Sequence, residues 1–214
     1  DILSSSLGMD KFESKTIWKQ KNISTPNFMQ VSHIDDFVRA SNCCGLPFFI
    51  KPANSGSSIG IAIINNEKDF IFAFEEAYKI DKIVIVESFI IGNEYTLPII
   101  ENKTLPIIEI KPKTEFYDYE AKYLRDDTEF ICPVDIPSPL IENINKLCIN
   151  AFNAIGCIGW GRVDFIIDKN KNIYIIEINT VPGMTNHSLV PMSARSAGIE
   201  FDDLVIMILE TSSA

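Results

Sequence analysis

The sequence predicts an α+β fold built on antiparallel sheets, and three observations carry that prediction. Gly159 to Met184 reads as a β-hairpin, with apolar alternation through Val163, Phe165 and Ile167, a polar turn at Asp168-Lys169-Asn170-Lys171-Asn172, and a second apolar run from Ile173 to Ile178. Gly92-Asn93 turns the chain into Glu94 to Ile100, and Leu105 to Ile110 returns, which gives a second antiparallel pairing. Between such strands lie segments with apolar residues at helical spacing. At 214 residues and 46% hydrophobic content, the chain has material for one large domain or two modest ones with a real core.

In chain order, Asp10 to Gln20 has helical spacing, with Phe12, Thr16, Ile17 and Gln20 alternating with lysines. Asn27 to Val31 is expected as a short strand. A helix follows from Ile34, with Ile34, Phe37, Val38 and Ser41 as its inner stripe and Gly45-Leu46-Pro47 as its stop; His33 ahead of it is a surface or capping residue. Phe48 to Lys51 is an apolar strand leading into the small-residue loop 53–60, and Ile61 to Ile64 is the strand after it. Backbone N–H groups and serine hydroxyls in such a loop can fold over phosphates. It is not a Walker A motif, because no Gly-Lys-Ser/Thr follows Gly56. A flexible hairpin tip is the plain alternative, but Lys51 at the end of an apolar strand is costly to bury unless it meets an anion.

Glu67 to Lys79 is expected as a helix with Phe70, Ile71, Phe74 and Ala77 inward, and Ile83 to Glu87 as a buried strand ending in an acid. Pro98 and Pro106 place their strands at edges or bulges. Residues 114–137 are long, polar and aromatic without clean periodicity, which suits a lid or binding loop, with Lys122-Tyr123 able to cover a site; a tolerated surface insertion is the alternative. Pro139 to Ala154 is amphipathic, with Leu140, Ile144, Leu147, Cys148 and Ala151 on one side. After Pro182-Gly183-Met184, residues 185–191 can open a helix whose free N–H groups favour an anion at Ser188-Leu189. Phe201 to Leu209 closes the chain as an apolar helix.

If the hairpin loop centres between Asn170 and Lys171, Asp164 faces Glu177 and Arg162 faces Asn179, and alternation puts all four side chains on one face. Carboxylates directly opposite each other repel unless a positive charge lies between them. All-oxygen donors suit Mg²⁺ or Mn²⁺ rather than zinc, and Mg²⁺ held by few carboxylates completes its shell with water and phosphates, so a nucleotide is implied. The alternative is a solvated hairpin end whose charges pair with Arg162 or water.

The net charge of −10 disfavours non-specific binding to nucleic acid or anionic membrane. With no apolar run of membrane-spanning length and no basic-then-apolar opening segment, the cytoplasm is the default location. Cys43, Cys44, Cys132, Cys148 and Cys157 have no metal or disulfide spacing and read as buried thiols.

Together these stretches resemble the ATP-grasp superfamily and, within it, the D-alanine–D-alanine ligase family. The resemblance is carried by Lys51 to Gly60, by Glu87 with Gly92-Asn93-Glu94, by FYDYEAKY at 116–123, by GWGRVD at 159–164 and by EINTVPGMTNHSLVP at 177–191. It implies two α+β subdomains with antiparallel sheets gripping ATP: 1–92 with the phosphate loop, and 93–214 with the lid 114–137 and the metal-binding hairpin 159–183. It further implies that Lys11 and Lys51 touch phosphates. Glu87, Ser88, Phe89, Ile90 and Glu94 would line the adenine and ribose, and Asp164, Glu177 and Asn179 would hold two Mg²⁺.

The activity implied is ligation of two D-alanines through an acylphosphate, with release of ADP, in peptidoglycan precursor synthesis. Arg162 and the Gly183 N–H would serve the oxyanion, Lys122 the transferring phosphoryl group, and Ser188 and Leu189 the second carboxylate. Ser57 and Tyr123 would link the lid to the first substrate's pocket. A homodimer is implied for the full-length protein.

The chain departs from the family pattern in two places. Ser88 stands where many relatives carry a Lys, which removes or replaces one adenine contact. The family also carries an amino-terminal domain of roughly 90 residues, typical of a small domain, which orients the first D-alanine amine. The chain opens Asp1-Ile2-Leu3 after that point, so it reads as a fragment expected to bind nucleotide and to ligate poorly alone. Tyr123 favours D-alanine over D-lactate, because vancomycin-resistance relatives tend to have His there. Rival readings are another ATP-grasp carboxylate–amine ligase and an ATP-binding module without catalysis.

Overall fold

The structure, a computed structural model, describes residues 2–56, 59–111 and 128–211. Its helices are α1 (Ile2–Met9), α2 (Lys11–Gln20), α3 (Phe37–Cys44), α4 (Glu67–Ile80), α5 (Ser138–Ala154), α6 (Leu189–Ser196) and α7 (Phe201–Glu210). The strands are β1 (Phe28–Val31), β2 (Phe48–Pro52), β3 (Ala62–Ile64), β4 (Val84–Ser88), β5 (Gly92–Ile100), β6 (Lys103–Thr104), β7 (Ile108–Lys111), β8 (Glu129–Ile131), β9 (Trp160–Asp168) and β10 (Ile173–Asn179). They form a four-stranded sheet, order β1-β4-β2-β3, and a second sheet, order β10-β9-β5-β7-β8, with β6 on β5. Every pairing in the two sheets is antiparallel, as the hairpin signals require. The division between sheets falls between β4 and β5.

Each sheet turns an apolar face to helices and a polar face the other way. In the first, Phe48, Ile50, Val84 and Val86 pack with Phe70, Ala73, Phe74 and Ala77 of α4, whereas the alternate positions Lys51 and Glu87 point oppositely. In the second, Val163, Phe165, Leu97 and Tyr95 pack with Ile144, Cys148, Ala151 and Phe152 of α5. The other face of that sheet carries Glu94, Thr96, Arg162, Asp164, Glu177 and Asn179, which lie in register across three strands.

Several helix faces differ from the spacing-based expectation. Val38 is exposed on α3, which instead buries Ala40 and Cys44; on α4, Ile71 is turned outward and Ala73 takes its place. The largest difference is on α2, whose buried positions are Lys11, Ser14, Lys15 and Trp18. The lysines point inward there because carboxylates wait for them. Asp10 caps that helix by accepting from the N–H groups of Phe12 and Glu13. α1 precedes the first helix expected from spacing, and β8 lies in the 114–137 stretch, where no strand is expected, and pairs with β7. Residues 112–127 lie outside the described residues.

Pro98 lies in the central strand β5 and not at an edge. Its carbonyl accepts from Leu105 N–H at 2.9 Å, on the side away from β9, so the missing N–H costs the β5–β9 ladder nothing. Pro106 falls between β6 and β7. His33 caps the turn Ile34–Asp36, its Nδ1 accepting from Asp35 N–H. All five cysteines are free; Cys44, Cys148 and Cys157 are buried, and Cys43 and Cys132 are half-buried.

Candidate active site

The hairpin reaches its expected pairing by a bulge. Ile173 pairs with Ile167 and Ile175 with Phe165, one residue off the expected register, and a shift between Ile175 and Glu177 then sets Glu177 opposite Asp164 and Asn179 opposite Arg162. The extra residue is Ile176. It lets Ile175 and Ile178, three apart in sequence, both bury in the core while Glu177 and Asn179 face the other way.

Asp164 is almost fully buried and accepts from four directions. Arg162 Nε and Nη2 reach it at 2.9 and 2.8 Å, Asn179 Nδ2 at 2.9 Å, and the hydroxyl of buried Thr96 completes the set. The bidentate guanidinium pairing is the strong form of such a bond. Arg162 thus takes up the charge of Asp164 in this structure, as the plainer reading of the hairpin has it. Glu177 meets Lys11 Nζ at 3.5 Å.

Lys11 joins this face to the other sheet. Its Nζ donates to Ser55 O at 2.8 Å and its N–H to Ala53 O at 3.2 Å, which anchors α2 to the small-residue loop. Glu87, at 3% exposure, takes Lys51 Nζ at 3.0 Å on one oxygen and Lys15 Nζ at 2.6 Å on the other. The anion that Lys51 meets within the chain is therefore Glu87. Burial pushes the Glu87 carboxyl up, but Lys15 and Lys51 outweigh it and hold the group below the ordinary carboxylate range. Burial also lowers the Lys11 ammonium, against the pull of Glu177, and brings Lys15 down to about 8. Lys11, Lys15 and Lys51 against Glu87 and Glu177 leave this buried cluster one positive charge in excess. An incoming phosphate would meet that excess inside a chain whose net charge is −10.

Ser88 Oγ donates to Cys44 O at 2.8 Å, Phe89 packs its ring on Phe49 with centroids 5.1 Å apart, and Ile90 follows half-buried. Glu94 is on β5, on the face shared with Asp164. Ser188 Oγ accepts from Thr185 N–H at 3.0 Å and lies 2.9 Å from Thr185 Oγ1, while Leu189 opens α6 and packs on Ile108 and Ile110. A Cβ on Gly183 would come 2.9 Å from Ser188 Oγ, so the two segments touch. Ser57, Lys122 and Tyr123 lie outside the described residues. Spacing did not single out Lys15, Thr25 or Thr96, although Lys11, Ser14, Lys15 and Trp18 do lie one turn apart along one face of α2.

The oxygen donors of Asp164, Glu177 and Asn179 suit a hard divalent ion and not zinc. Among the described residues, no group of three or more His, Cys, Asp and Glu side chains comes together, so the candidate set is two carboxylates and one amide. No helix among the described residues is long and apolar enough to cross a membrane.

Residues 17–210 match the family described as D-ala D-ala ligase C-terminus. The D-alanine–D-alanine ligase B of Chromobacterium violaceum is 44% identical over 210 residues, a match that covers 98% of this chain and 69% of that protein. The crystal structure of D-alanine–D-alanine ligase from Bacillus anthracis complexed with ATP superposes with a TM-score of 0.84 at 33% identity, covering 99% of this chain and 68% of that one. VanG D-Ala:D-Ser ligase from Enterococcus faecalis gives 0.87 at 28% identity, with 99% and 63% covered. With two antiparallel sheets, a lysine cluster on one and a carboxylate–amide face on the other, the chain belongs to the D-alanine–D-alanine ligase family, by its carboxyl-terminal, ATP-grasp region.

Proposed function

We propose that this chain carries the catalytic region for ADP-forming ligation of two D-alanines to D-alanyl-D-alanine, a step in peptidoglycan precursor synthesis. The observation that carries the reading is the 3.5 Å approach of Lys11 to Glu177, which brings the lysine cluster of one sheet to the carboxylate face of the other. Lys11 and Lys51 attract the phosphates, with Lys11 holding the small-residue loop beside them. Glu87, Ser88, Phe89, Ile90 and Glu94 line the adenine and ribose side.

Asp164, Glu177 and Asn179 would hold two Mg²⁺, or Mn²⁺, which when bound neutralise phosphate charge. Arg162 and the Gly183 N–H stabilise the oxyanion that forms when the second amine attacks the acylphosphate, and Ser188 and Leu189 receive the second carboxylate at the start of α6. Lys122, Tyr123 and Ser57 complete the site from the lid and the loop. We assign residues 1–92 to the central part and 93–214 to the carboxyl-terminal part; the change of sheet between β4 and β5 supports that boundary, while Leu7 and Trp18 pack in the core of the six-stranded sheet. Full-length protein would work as a homodimer in the cytoplasm.

The test is D-alanine-dependent, Mg²⁺-dependent release of ADP, measured on this chain and on the chain joined to the family's amino-terminal domain. Substantial turnover is expected from the joined protein and little from the chain alone. Glu177→Gln should lower kcat by about 10²-fold or more, an effect expected for a group acting on developing charge. Wild-type-like turnover in that variant would remove the metal assignment. Replacing the second D-alanine by D-serine or D-lactate separates this reading from a related carboxylate–amine ligase. ATP binding without ADP release in the joined protein would indicate a non-catalytic nucleotide module.

A further inference from the structure

Lys15 is fully buried, 0% exposed, and belongs to none of the roles above. Its ammonium contacts the Glu87 carboxylate at 2.6 Å and donates to Thr25 Oγ1 at 2.8 Å. Thr25 Oγ1 in turn donates to Ile175 O at 2.8 Å, and the neighbouring Ser24 O accepts from Ile175 N–H at 2.9 Å. Ile175 is the last residue of β10 in the first register, immediately before the bulge that sets Glu177 opposite Asp164. One unbroken chain of polar contacts therefore runs from the end of β4 in the four-stranded sheet, through α2 and residues 24–25, to the bulge in the six-stranded sheet.

A buried charge held at both ends is expensive to leave unpaired. A lysine has no reason to occupy the inner face of α2 for helix stability alone, since Lys11, Ser14 and Trp18 already pack there. Glu87 also has a second cation in Lys51, at 3.0 Å on its other oxygen. What Lys15 adds is direction: with one oxygen held by Lys15 from α2 and the other by Lys51 from β2, the carboxylate is fixed about its last torsion.

We propose that Lys15 is a positioning residue that orients Glu87 for the nucleotide and, through Thr25, ties that carboxylate to the β10 bulge presenting Glu177. This rests on the nucleotide-binding reading given above. Lys15 touches neither substrate nor ion; it acts through Glu87 at one end and through Ile175 at the other.

The test is ATP affinity by titration calorimetry with Mg²⁺ on the chain, together with KM for ATP and for D-alanine on the protein joined to the family's amino-terminal domain. Lys15→Met should raise the Kd and KM for ATP at least tenfold while leaving the KM for D-alanine within twofold, and Lys15→Arg should recover most of the loss. In a Glu87→Gln background, Lys15→Met should cost little further, because the group it positions is gone. Thr25→Val should raise the ATP Kd by a few-fold and carries the test if Lys15→Met does not fold. Wild-type ATP affinity in both Lys15→Met and Thr25→Val, or full additivity with Glu87→Gln, overturns the proposal while the nucleotide reading stands. Failure of the wild-type chain to bind ATP overturns both.

Discussion

At Lys15 the ammonium is fully buried against Glu87, and burial brings its pKa from the ordinary 10.5 down to about 8. Across that window the unfolded chain holds a proton that the folded one has released, so this group's share of stability rises with pH. The buried thiols act in the opposite sense. Burial pushes Cys157 up to about 11 and Cys44 up to about 12 from an ordinary 9.0, so folded thiols stay protonated while unfolded ones ionise, and that share is lost as pH rises. The informative quantity is therefore a difference. Unfolding free energies from urea titration, wild type minus Lys15→Met, should grow in favour of the wild type between pH 8 and 10.5; a flat difference would mean that the ammonium does not titrate in that window. The same residue shows where sequence reasoning stops. Arg162, Asp164, Glu177 and Asn179 are legible because a strand alternates faces every residue; the turn alone sets a register one residue off, and the bulge at Ile176 restores the expected partners. Lys15 and Thr25 are not legible, because a lysine on an inner helix face makes sense once its carboxylate is known, and that carboxylate comes from a distant strand.

At the scale of elements, strands were read more faithfully than helix faces. The two sheet signals and the order of helices came through, because turns and apolar alternation are local. On α3 Ala40 and Cys44 are buried and Val38 is exposed, while α4 keeps Phe70, Phe74 and Ala77 inward and exchanges only Ile71 for Ala73. The bulge at Ile176 was likewise hidden, although the three-residue spacing of Ile175 and Ile178 is its trace in the sequence. The start of α6 depends on a comparable fit. Ser188 stands at the N-cap position without capping the helix itself; its hydroxyl instead accepts from Thr185 N–H, and Gly183 leaves just enough room for it. Gly183→Ala would place a Cβ 2.9 Å from that oxygen and drive it off Thr185. The expected result is a several-fold rise in KM for the second D-alanine, with unfolding free energy changed by no more than about 1 kcal/mol, as for a surface turn. Steady-state kinetics beside urea denaturation separates the two effects, and unchanged KM would detach Ser188 from the substrate.

The two sheets are joined through α2, which buries Trp18 in the core of the six-stranded sheet and reaches the four-stranded one by a ring contact and an ion pair. Phe12 at its start packs edge-on to Phe28 of the four-stranded sheet, with centroids 5.9 Å apart. Trp18, near its end, is fully buried in the cluster that holds Leu97 and Phe165 of the six-stranded sheet and Phe152 of α5, and donates its indole N–H to Ala151 O at 3.0 Å. The same helix carries Lys11 and Lys15, the two lysines that reach Glu177 and Glu87. A helix shared in this way makes the sheets unfold together, so thermal unfolding of the wild type should be one cooperative transition, and saturating ATP with Mg²⁺ should raise its midpoint without splitting it. Trp18→Ala removes the largest buried side chain at the junction and leaves the Ala151 carbonyl without its donor, at a cost of about 3–5 kcal/mol. Because the loss falls on the attachment of α2 and not on either sheet's own core, it should appear as a separation of the transition into two. The ATP-dependent shift should fade with it, as Lys11 and Lys15 lose their fixed height above the carboxylates. Calorimetry resolves both features in one scan. A single transition lowered in midpoint, with the nucleotide shift intact, would show that the sheets are joined elsewhere and that α2 is merely docked on them.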